Sequence, residues 1–326
     1  MQYIETEDKN MYRIGVDLGG TNIAVGVVDE NNAMVGKSNI KTNLPRPAEE
    51  IFADVAKACN LALEDAGISI RDVASVGIGA PGTINKETGV IEYANNFSFF
   101  NVPARDLMKE YLGDVPIYLD NDANCAALGE AIAGAGHGVK NFIAITLGTG
   151  VGSGIVIDGK LVTGINFAAG EMGHTVICLD GERCTCGRRG CWESYSSATA
   201  LIAQTKDVMR ISPDSIMWQI ANESVYNVDG RTAFDAMRKG DHAAKKVVDK
   251  YIYYLAQGIT NVVNIFQPDM ICIGGGISHE GETLLEPLRR MVARERYSIH
   301  AKKQTQIVAA ELGNDAGIFG AAFLNA

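Results

Sequence analysis

Residues 12–28 read YRIGVDLGGTNIAVGVV, and residues 142–157 read FIAITLGTGVGSGIVI. Each is a short β-branched run, a glycine turn and a second β-branched run, the signature of a hairpin with a glycine tip. In the first, Tyr12–Val16 and Ile23–Val28 are predicted strands on either side of Asp17-Leu18-Gly19-Gly20-Thr21, and a weaker third strand starts at Met34 after the turn Asp29-Glu30-Asn31-Asn32. In the second, Phe142–Leu147 runs into the glycine loop Gly148 to Gly154, followed by strand Ile155–Ile157, the tight turn Asp158-Gly159 and strand Lys160–Thr163.

Both copies continue alike. Apolar positions Ile51, Val55, Ala58, Ala62 and Ala66 predict a helix over 48–66, and strand Val73–Ile78 ends in Gly79-Ala80-Pro81-Gly82. Downstream, a helix around Ala243–Val263 precedes strand Met270–Ile273, which ends in Gly274-Gly275-Gly276. Two repeats of meander, helix and glycine-ended strand predict a duplicated α/β fold, two domains flanking a cleft that suits a ligand. The expected division is 1–120 and 121–326, with a last helix near 315–326 returning to the N-terminal domain.

Composition narrows the function. With 326 residues there is room for two domains, and 47% hydrophobic against 21% charged excludes a disordered chain. Lys and Arg total 29 against 39 Asp and Glu, and a net charge of −10 argues against nucleic acid or an anionic membrane as partner. No apolar run approaches the ~18–20 residues that span a bilayer, and Met1–Asn10 is too polar for a secretory signal. Seven cysteines is an odd number, in a chain long enough to do without disulfides. A reduced, cytoplasmic, enzyme-sized protein is expected.

Glycine at a strand end lets successive N–H groups converge on an anion, so these loops point to nucleotide phosphate. The dinucleotide fingerprint is excluded, because Gly148 to Gly154 leads into a strand and not a helix. A P-loop is excluded too, since no Gly-Lys-Ser/Thr follows any glycine run. Asp17, at the first tip, is suited to hold Mg²⁺, which prefers carboxylate and phosphate oxygens. A second metal is expected at Cys184-Thr185-Cys186-Gly187-Arg188-Arg189-Gly190-Cys191 with His174 upstream. Three thiolates and one imidazole fill the tetrahedral shell of a structural Zn²⁺, and the spacing is not that of a redox Cys-x-x-Cys pair. Cys59, Cys125, Cys178 and Cys272 stand singly in apolar context and read as small buried hydrophobes; His137, His242, His279 and His300 read as packing or surface residues.

Asp120-Asn121-Asp122 follows a short strand, Ile117–Leu119, and heads an alanine-rich helix, Ala123–Ala133. Capping needs one of these three polar residues, which leaves a carboxylate for chemistry. Beside a phosphate cradle, such an aspartate can orient and deprotonate an attacking hydroxyl. Glu171 and Glu193 are placed to accept hydrogen bonds from a polyhydroxylated substrate.

Taken together, the residues resemble the ROK family of sugar kinases and sugar-responsive repressors. Asp17-Leu18-Gly19-Gly20-Thr21 resembles its first phosphate loop, Leu147-Gly148-Thr149-Gly150-Val151-Gly152 its second, and Asp120-Asn121-Asp122-Ala123-Asn124 its catalytic segment. Glu171-Met172-Gly173-His174, with the three-cysteine run and Glu193, resembles its zinc and sugar motif. The resemblance implies an actin/hexokinase-like (RNase H-like) ATPase fold and an ATP-dependent hexose kinase. It implies Asp122 as catalytic base, with Gly82, Asn96, Asn121, Glu171, His174 and Glu193 on the sugar. Asp17, Gly19, Gly20, Thr21, Asn22, Gly148, Thr149, Gly150, Gly275 and Gly276 would handle the nucleotide, and His174, Cys184, Cys186 and Cys191 the structural zinc. A homodimer or homotetramer is implied as well. Two positions depart from the family pattern: Asn22, where many members carry Lys, and Phe99, where glucokinase-like members often carry Trp.

Glucose is the expected substrate, because carboxylate, imidazole and amide partners suit an all-equatorial hexose. The alternatives are N-acetylglucosamine or N-acetylmannosamine, whose acetyl group Phe97, Phe99 and Phe100 could wall, and fructose or allose. Against the acetyl reading, the three phenylalanines would simply pack a loop on the core. A non-catalytic sugar-binding regulator is a further alternative, disfavoured by the net charge and by the ~10 residues before the first strand, too few for a helix-turn-helix.

Overall fold

The computed structural model describes residues 12–325; Met1–Asn10, read above as too polar for a signal, lies outside them. The chain runs β1 (Tyr12–Leu18), β2 (Asn22–Val28), β3 (Met34–Lys41), α1 (Ala48–Ala66), β4 (Val73–Ala80), β5 (Thr83–Asn85), β6 (Val90–Ala94), β7 (Phe99–Val102), α2 (Ala104–Leu112), β8 (Ile117–Asn121) and α3 (Asp122–Ala133). It continues with β9 (Phe142–Leu147), β10 (Val151–Ile157), β11 (Lys160–Leu161), α4 (Glu193–Ser196), α5 (Ala198–Ile211), α6 (Ile216–Ile220), α7 (Thr232–Arg238) and α8 (His242–Phe266). It ends with β12 (Met270–Gly274), α9 (Glu282–Glu295), β13 (Gln306–Ala309) and α10 (Ala316–Ala322). Two five-stranded sheets, ordered β3-β2-β1-β4-β8 and β11-β10-β9-β12-β13, repeat one pattern, and β5-β6-β7 form a smaller third sheet. In the first sheet β1, β2 and β3 are antiparallel and β4 and β8 join β1 in parallel. In the second, β12 is parallel to both β9 and β13. The duplicated α/β fold is therefore present.

Two compact units result: one holds the described residues up to Gly138, Gly154–Gly170 and the chain from Glu311, and the other holds Val139–Ser153 and Glu171–Ala310. The division expected after residue 120 falls inside unit one, within β8. Alternation along β1 explains the layering of unit one. Ile14, Val16 and Leu18 share a core with Ile51, Phe52, Val55 and Cys59 of α1, and the intervening Gly15 turns to the opposite face. Gly15 pairs across the sheet with Gly26 and with Gly77, a row of three glycines. On this row lies α10: a Cβ at Gly15 would stand 1.9 Å from the Ile318 carbonyl oxygen, and one at Gly77 would stand 1.7 Å from that of Ala321. Gly129 of α3 and Gly320 of α10 make the same close approach, so α3 and α10 meet backbone to backbone. The side chain of Glu130, buried at the end of α3, accepts from the N–H groups of Ala135, Glu311 and Leu312 and secures the approach to α10.

Some boundaries differ from expectation. The predicted loop Gly148 to Gly154 is a loop only to Gly150; β10 begins at Val151, and its Gly154 is a packing glycine whose Cβ would meet Ala127 at 2.4 Å. The strand expected over Lys160–Thr163 is shorter, and the helix around Ala243–Val263 extends to both sides. Phe97 and Phe99 belong to the core, ring on ring at 5.0 Å, while Phe100 is exposed against Tyr93. Cys59, Cys125 and Cys272 are buried as expected, but Cys178 is only half-buried. Among the described residues, no helix is long and apolar enough to cross a membrane.

Candidate active site

Unit one carries the candidate aspartates, Asp17, Asp120 and Asp122. Asn121 caps α3, its Oδ1 accepting from the N–H groups of Ala123 and Asn124 at 2.9 and 3.3 Å. Its Nδ2 donates to the Gly82 carbonyl at 3.1 Å. Gly82 has φ +98°, and a Cβ there would strike the Tyr93 carbonyl at 2.0 Å, so only glycine presents this acceptor. Asp120 is buried, and its Oδ1 accepts from the Asn121 N–H and from Asn124 Nδ2, both at 2.8 Å. The three polar residues thus divide the work: Asp120 braces the turn, Asn121 caps the helix, and Asp122 remains accessible at its first position. Surrounding protein raises the Asp122 carboxyl above its usual range, against the lowering by the Ala123 N–H and the Asn121 side chain. Asp17 is pushed up to about 6, first by burial and then by the Asp122 charge. Gly317 of α10 lies against it, 3.1 Å from the carboxyl to the position of a Cβ. Asn96 is exposed on the short turn Asn95–Phe97.

The first glycine tip, also in unit one, closes with the Gly19 N–H on the Asn22 carbonyl at 2.9 Å. Asn22 opens β2 and pairs with Lys41. Gly20 and Thr21 are exposed. Phe99, the second departure from the family pattern, is a core side chain stacked on Phe52.

Unit two brings together the metal ligands, Glu193 and the second tip. The donor atoms of His174, Cys184, Cys186 and Cys191 all lie within 4.8 Å of one another. His174 Nδ1 is 3.5 Å from Cys184 Sγ, and Cys186 Sγ is 3.7 Å from Cys191 Sγ. Zinc–sulfur bonds of ~2.3 Å in a tetrahedron put neighbouring donors ~3.8 Å apart. The four residues therefore fit zinc, with Nδ1 as the ring nitrogen toward the metal. Without a cation the Cys191 thiol is pushed up to about 12, by burial and then by Cys186 and Cys184. A coordinating metal reverses this. Trp192, fully buried, anchors the loop: its Nε1 donates to the Tyr254 carbonyl at 3.1 Å, and its ring fills the space at Gly258 of α8.

Glu171 precedes the turn Met172–His174, which lies on β10 so closely that a Cβ at Gly173 would meet the Val151 carbonyl at 2.2 Å. Glu193 was expected only as a sugar contact. Its Oε2 also accepts from the Val151 N–H at 3.0 Å, and its Oε1 lies 3.7 Å from Cys184 Sγ. Gly150 leaves room for that carboxylate, since a Cβ would stand 2.3 Å from Oε2. Gly275, at φ +82°, presses on the Leu147 backbone, while Gly148 and Gly276 face open space. The sequence reading passed over Thr42 and Thr199, whose hydroxyls donate to the Gly19 and Thr149 carbonyls at 2.7 and 2.8 Å. No local motif signals them.

A family model described as the ROK family matches residues 13–326. The chain belongs to the ROK family. This ROK protein is 38% identical to the glucokinase of Thermotoga maritima, over 95% of each chain. It is 31% identical to the N-acetyl-D-glucosamine kinase of Citrobacter koseri, over 95% of this chain and 98% of that one. The structure of a ROK glucokinase from Streptomyces griseus in complex with glucose and AMPPNP is similar to it with a TM-score of 0.81. The two are 36% identical, and the match covers 96% of this chain and 98% of that one. The ROK fold of this chain is the actin/hexokinase-like ATPase fold.

Proposed function

We propose that this protein is an ATP-dependent glucokinase, transferring the γ-phosphoryl group of ATP to glucose and releasing glucose 6-phosphate and ADP. The observation that carries the reading is Asp122: an accessible carboxylate, raised by its surroundings, at the head of a helix whose cap also grips Gly82. As the sugar hydroxyl attacks the γ-phosphorus, Asp122 takes its proton and the bond to ADP breaks. Such a transfer depends on positioning and charge more than on covalent chemistry, which is what a fixed helix head supplies. Asn121 spends its amide on the cap and on Gly82, which limits the wandering of the base beside it.

Glu171, His174, Glu193 and Asn96 would pair with the sugar hydroxyls, and Asn121 through the second hydrogen of its Nδ2, the first being given to Gly82. The tips Gly19–Asn22 and Gly148–Gly150, with Gly275 and Gly276, would take the nucleotide. Asp17 would hold Mg²⁺, which when bound offsets charge on the phosphoryl oxygens. Its raised carboxyl fits that role, since burial and a like charge are what a divalent cation relieves. His174, Cys184, Cys186 and Cys191 would hold zinc with no open position, so zinc orders the loop and takes no part in proton transfer.

Glucose is favoured over an N-acetylhexosamine because two of the three phenylalanines that could wall an acetyl recess are committed to the core. The deciding experiment is coupled ADP release with Mg²⁺ and ATP over glucose, N-acetylglucosamine, N-acetylmannosamine, fructose, mannose and allose. Glucose is expected to give the highest kcat/KM. An N-acetylhexosamine ahead by more than about tenfold, roughly 1.4 kcal/mol of transition-state preference, would move the substrate and leave the kinase standing. Sugar binding with no ADP release from any of them would instead identify a regulator.

A further inference from the structure

The two glycine tips share a device that the glycine pattern does not contain. In the second tip every carbonyl is tied back to a protein donor. The Gly148 carbonyl accepts from the Ala198 N–H at 2.8 Å, the Thr149 carbonyl from Thr199 Oγ1 at 2.8 Å, and the Gly150 carbonyl from the Gly148 N–H at 3.1 Å. In a planar trans peptide, the carbonyl of one residue and the N–H of the next point in opposite directions. Tying the Gly148 and Thr149 carbonyls to the head of α5 therefore turns the N–H groups of Thr149 and Gly150 away from it. Among the described residues neither N–H has a protein acceptor. The first tip is arranged alike: the Gly19 carbonyl accepts from Thr42 Oγ1 and the Thr21 carbonyl from the Thr42 N–H at 3.0 Å, which turns the Gly20 N–H outward.

We propose that Thr199 and Thr42 are positioning residues for the nucleotide: each hydroxyl locks a tip peptide with its carbonyl inward, leaving donor N–H groups for the phosphates. The inference rests on the kinase reading above and names the residues that make its glycine loops anion-selective. An unlocked peptide plane can rotate and present a carbonyl oxygen, which repels phosphate, where an N–H is needed. Glycine leaves the tips bare, with open space at Gly148 and room for the Glu193 carboxylate at Gly150; the threonines remove the unwanted orientation.

Thr199 is exposed, so replacing it leaves the core intact. Isothermal titration of wild type, Thr199→Val and Thr199→Ser with Mg²⁺ and AMPPNP, and separately with glucose, tests the proposal. Thr199→Val is expected to weaken nucleotide binding by about five- to tenfold, the loss typical of one orienting hydrogen bond, while glucose affinity stays within about twofold. Thr199→Ser, which keeps the hydroxyl, is expected to restore the wild-type value, and the KM for ATP should rise in Thr199→Val with little change in kcat. Thr42→Val, nearly isosteric, should repeat the pattern from the first tip. Nucleotide affinity unchanged in Thr199→Val, or equal losses for nucleotide and glucose, would overturn the positioning role and leave the kinase reading intact. Wild-type protein that takes up glucose but no nucleotide would instead overturn the kinase reading, and this proposal with it.

Discussion

The first and second glycine tips reach one electrostatic result by different routes. Thr42, which braces Gly19, is fully buried and comes from the end of the same meander, 23 residues along the chain. Thr199, which braces Thr149, is exposed and comes from 50 residues along the chain, just after the zinc loop and the short helix that opens at Glu193. The segment from Glu193 to Thr199 holds the second tip at three points: Val151 N–H, Gly148 carbonyl and Thr149 carbonyl. Duplication preserved the sheet and the glycines, but one copy braces its tip from within and the other through the segment that follows the proposed zinc ligands. Order at the second tip should thus depend on zinc, and order at the first should not.

The largest effect should come from the chemistry of unit one. Asp122→Asn is expected to lower kcat by about 10²–10⁴-fold, the usual contribution of a general base, with glucose and nucleotide affinities nearly unchanged. Single-turnover ADP formation checks it, and a near-normal rate would remove Asp122 from the mechanism. Next in size is Gly77→Ala, whose methyl would collide with the Ala321 carbonyl. A loss of about 3 kcal/mol or more, and a melting temperature lower by roughly 6–12 °C, is expected from overpacking backbone against backbone. Thermal denaturation with and without nucleotide measures it. A silent Gly77→Ala would mean that α10 does not need the glycine row.

The comparison of the tips is sharpened by removing the metal. Metal analysis should find one zinc per chain, and Cys184→Ala should lose it together with about tenfold or more in sugar affinity, since a structural site supplies local folding energy. Hydrogen exchange should then quicken at residues 148–151 and not at 19–21. Equal quickening at both tips would break the contrast drawn here. The smallest effect concerns Asp17. Its folded-state carboxyl, at about 6 against an ordinary 3.8, binds its proton more tightly than the unfolded chain does. Stability therefore increases as pH falls from about 6 toward 3.8, and above that window the ionised carboxylate lowers it. Asp17→Asn should raise the melting temperature of the metal-free protein by a few degrees at pH 7.5, a gain that shrinks toward pH 4. A gain independent of pH would assign it to packing.

Much of the site was legible because its signals are local. Hairpin tips announce themselves through β-branched runs around glycine, and the zinc ligands through four donor residues between 174 and 191. The surplus of polar residues at 120–122 pointed to the head of α3, although which residue caps, braces or stays accessible is decided by the fold around it. Glycine was the ambiguous letter. Gly148 to Gly154 reads as one loop, yet Gly154 is a strand residue whose missing side chain admits α3. A glycine chosen for positive φ and one chosen for close approach look identical in a sequence.

Alternation, helical period and short-range ligand spacing are properties of neighbouring residues, so the glycine-tipped hairpins, the helices over 48–66 and around 243–263, the duplication and the candidate zinc set were legible in the sequence alone. The seat of α10 on Gly26, Gly15 and Gly77 does not, because it needs three strands in register before a helix nearly 240 residues beyond Gly77 can lie on them. The same holds for Glu193, whose partner Val151 N–H lies 42 residues away along the chain. Thr42 and Thr199 belong with these: a hydroxyl's partner is fixed by the fold that brings a carbonyl to it, and threonine carries no mark of that partner in its own neighbourhood.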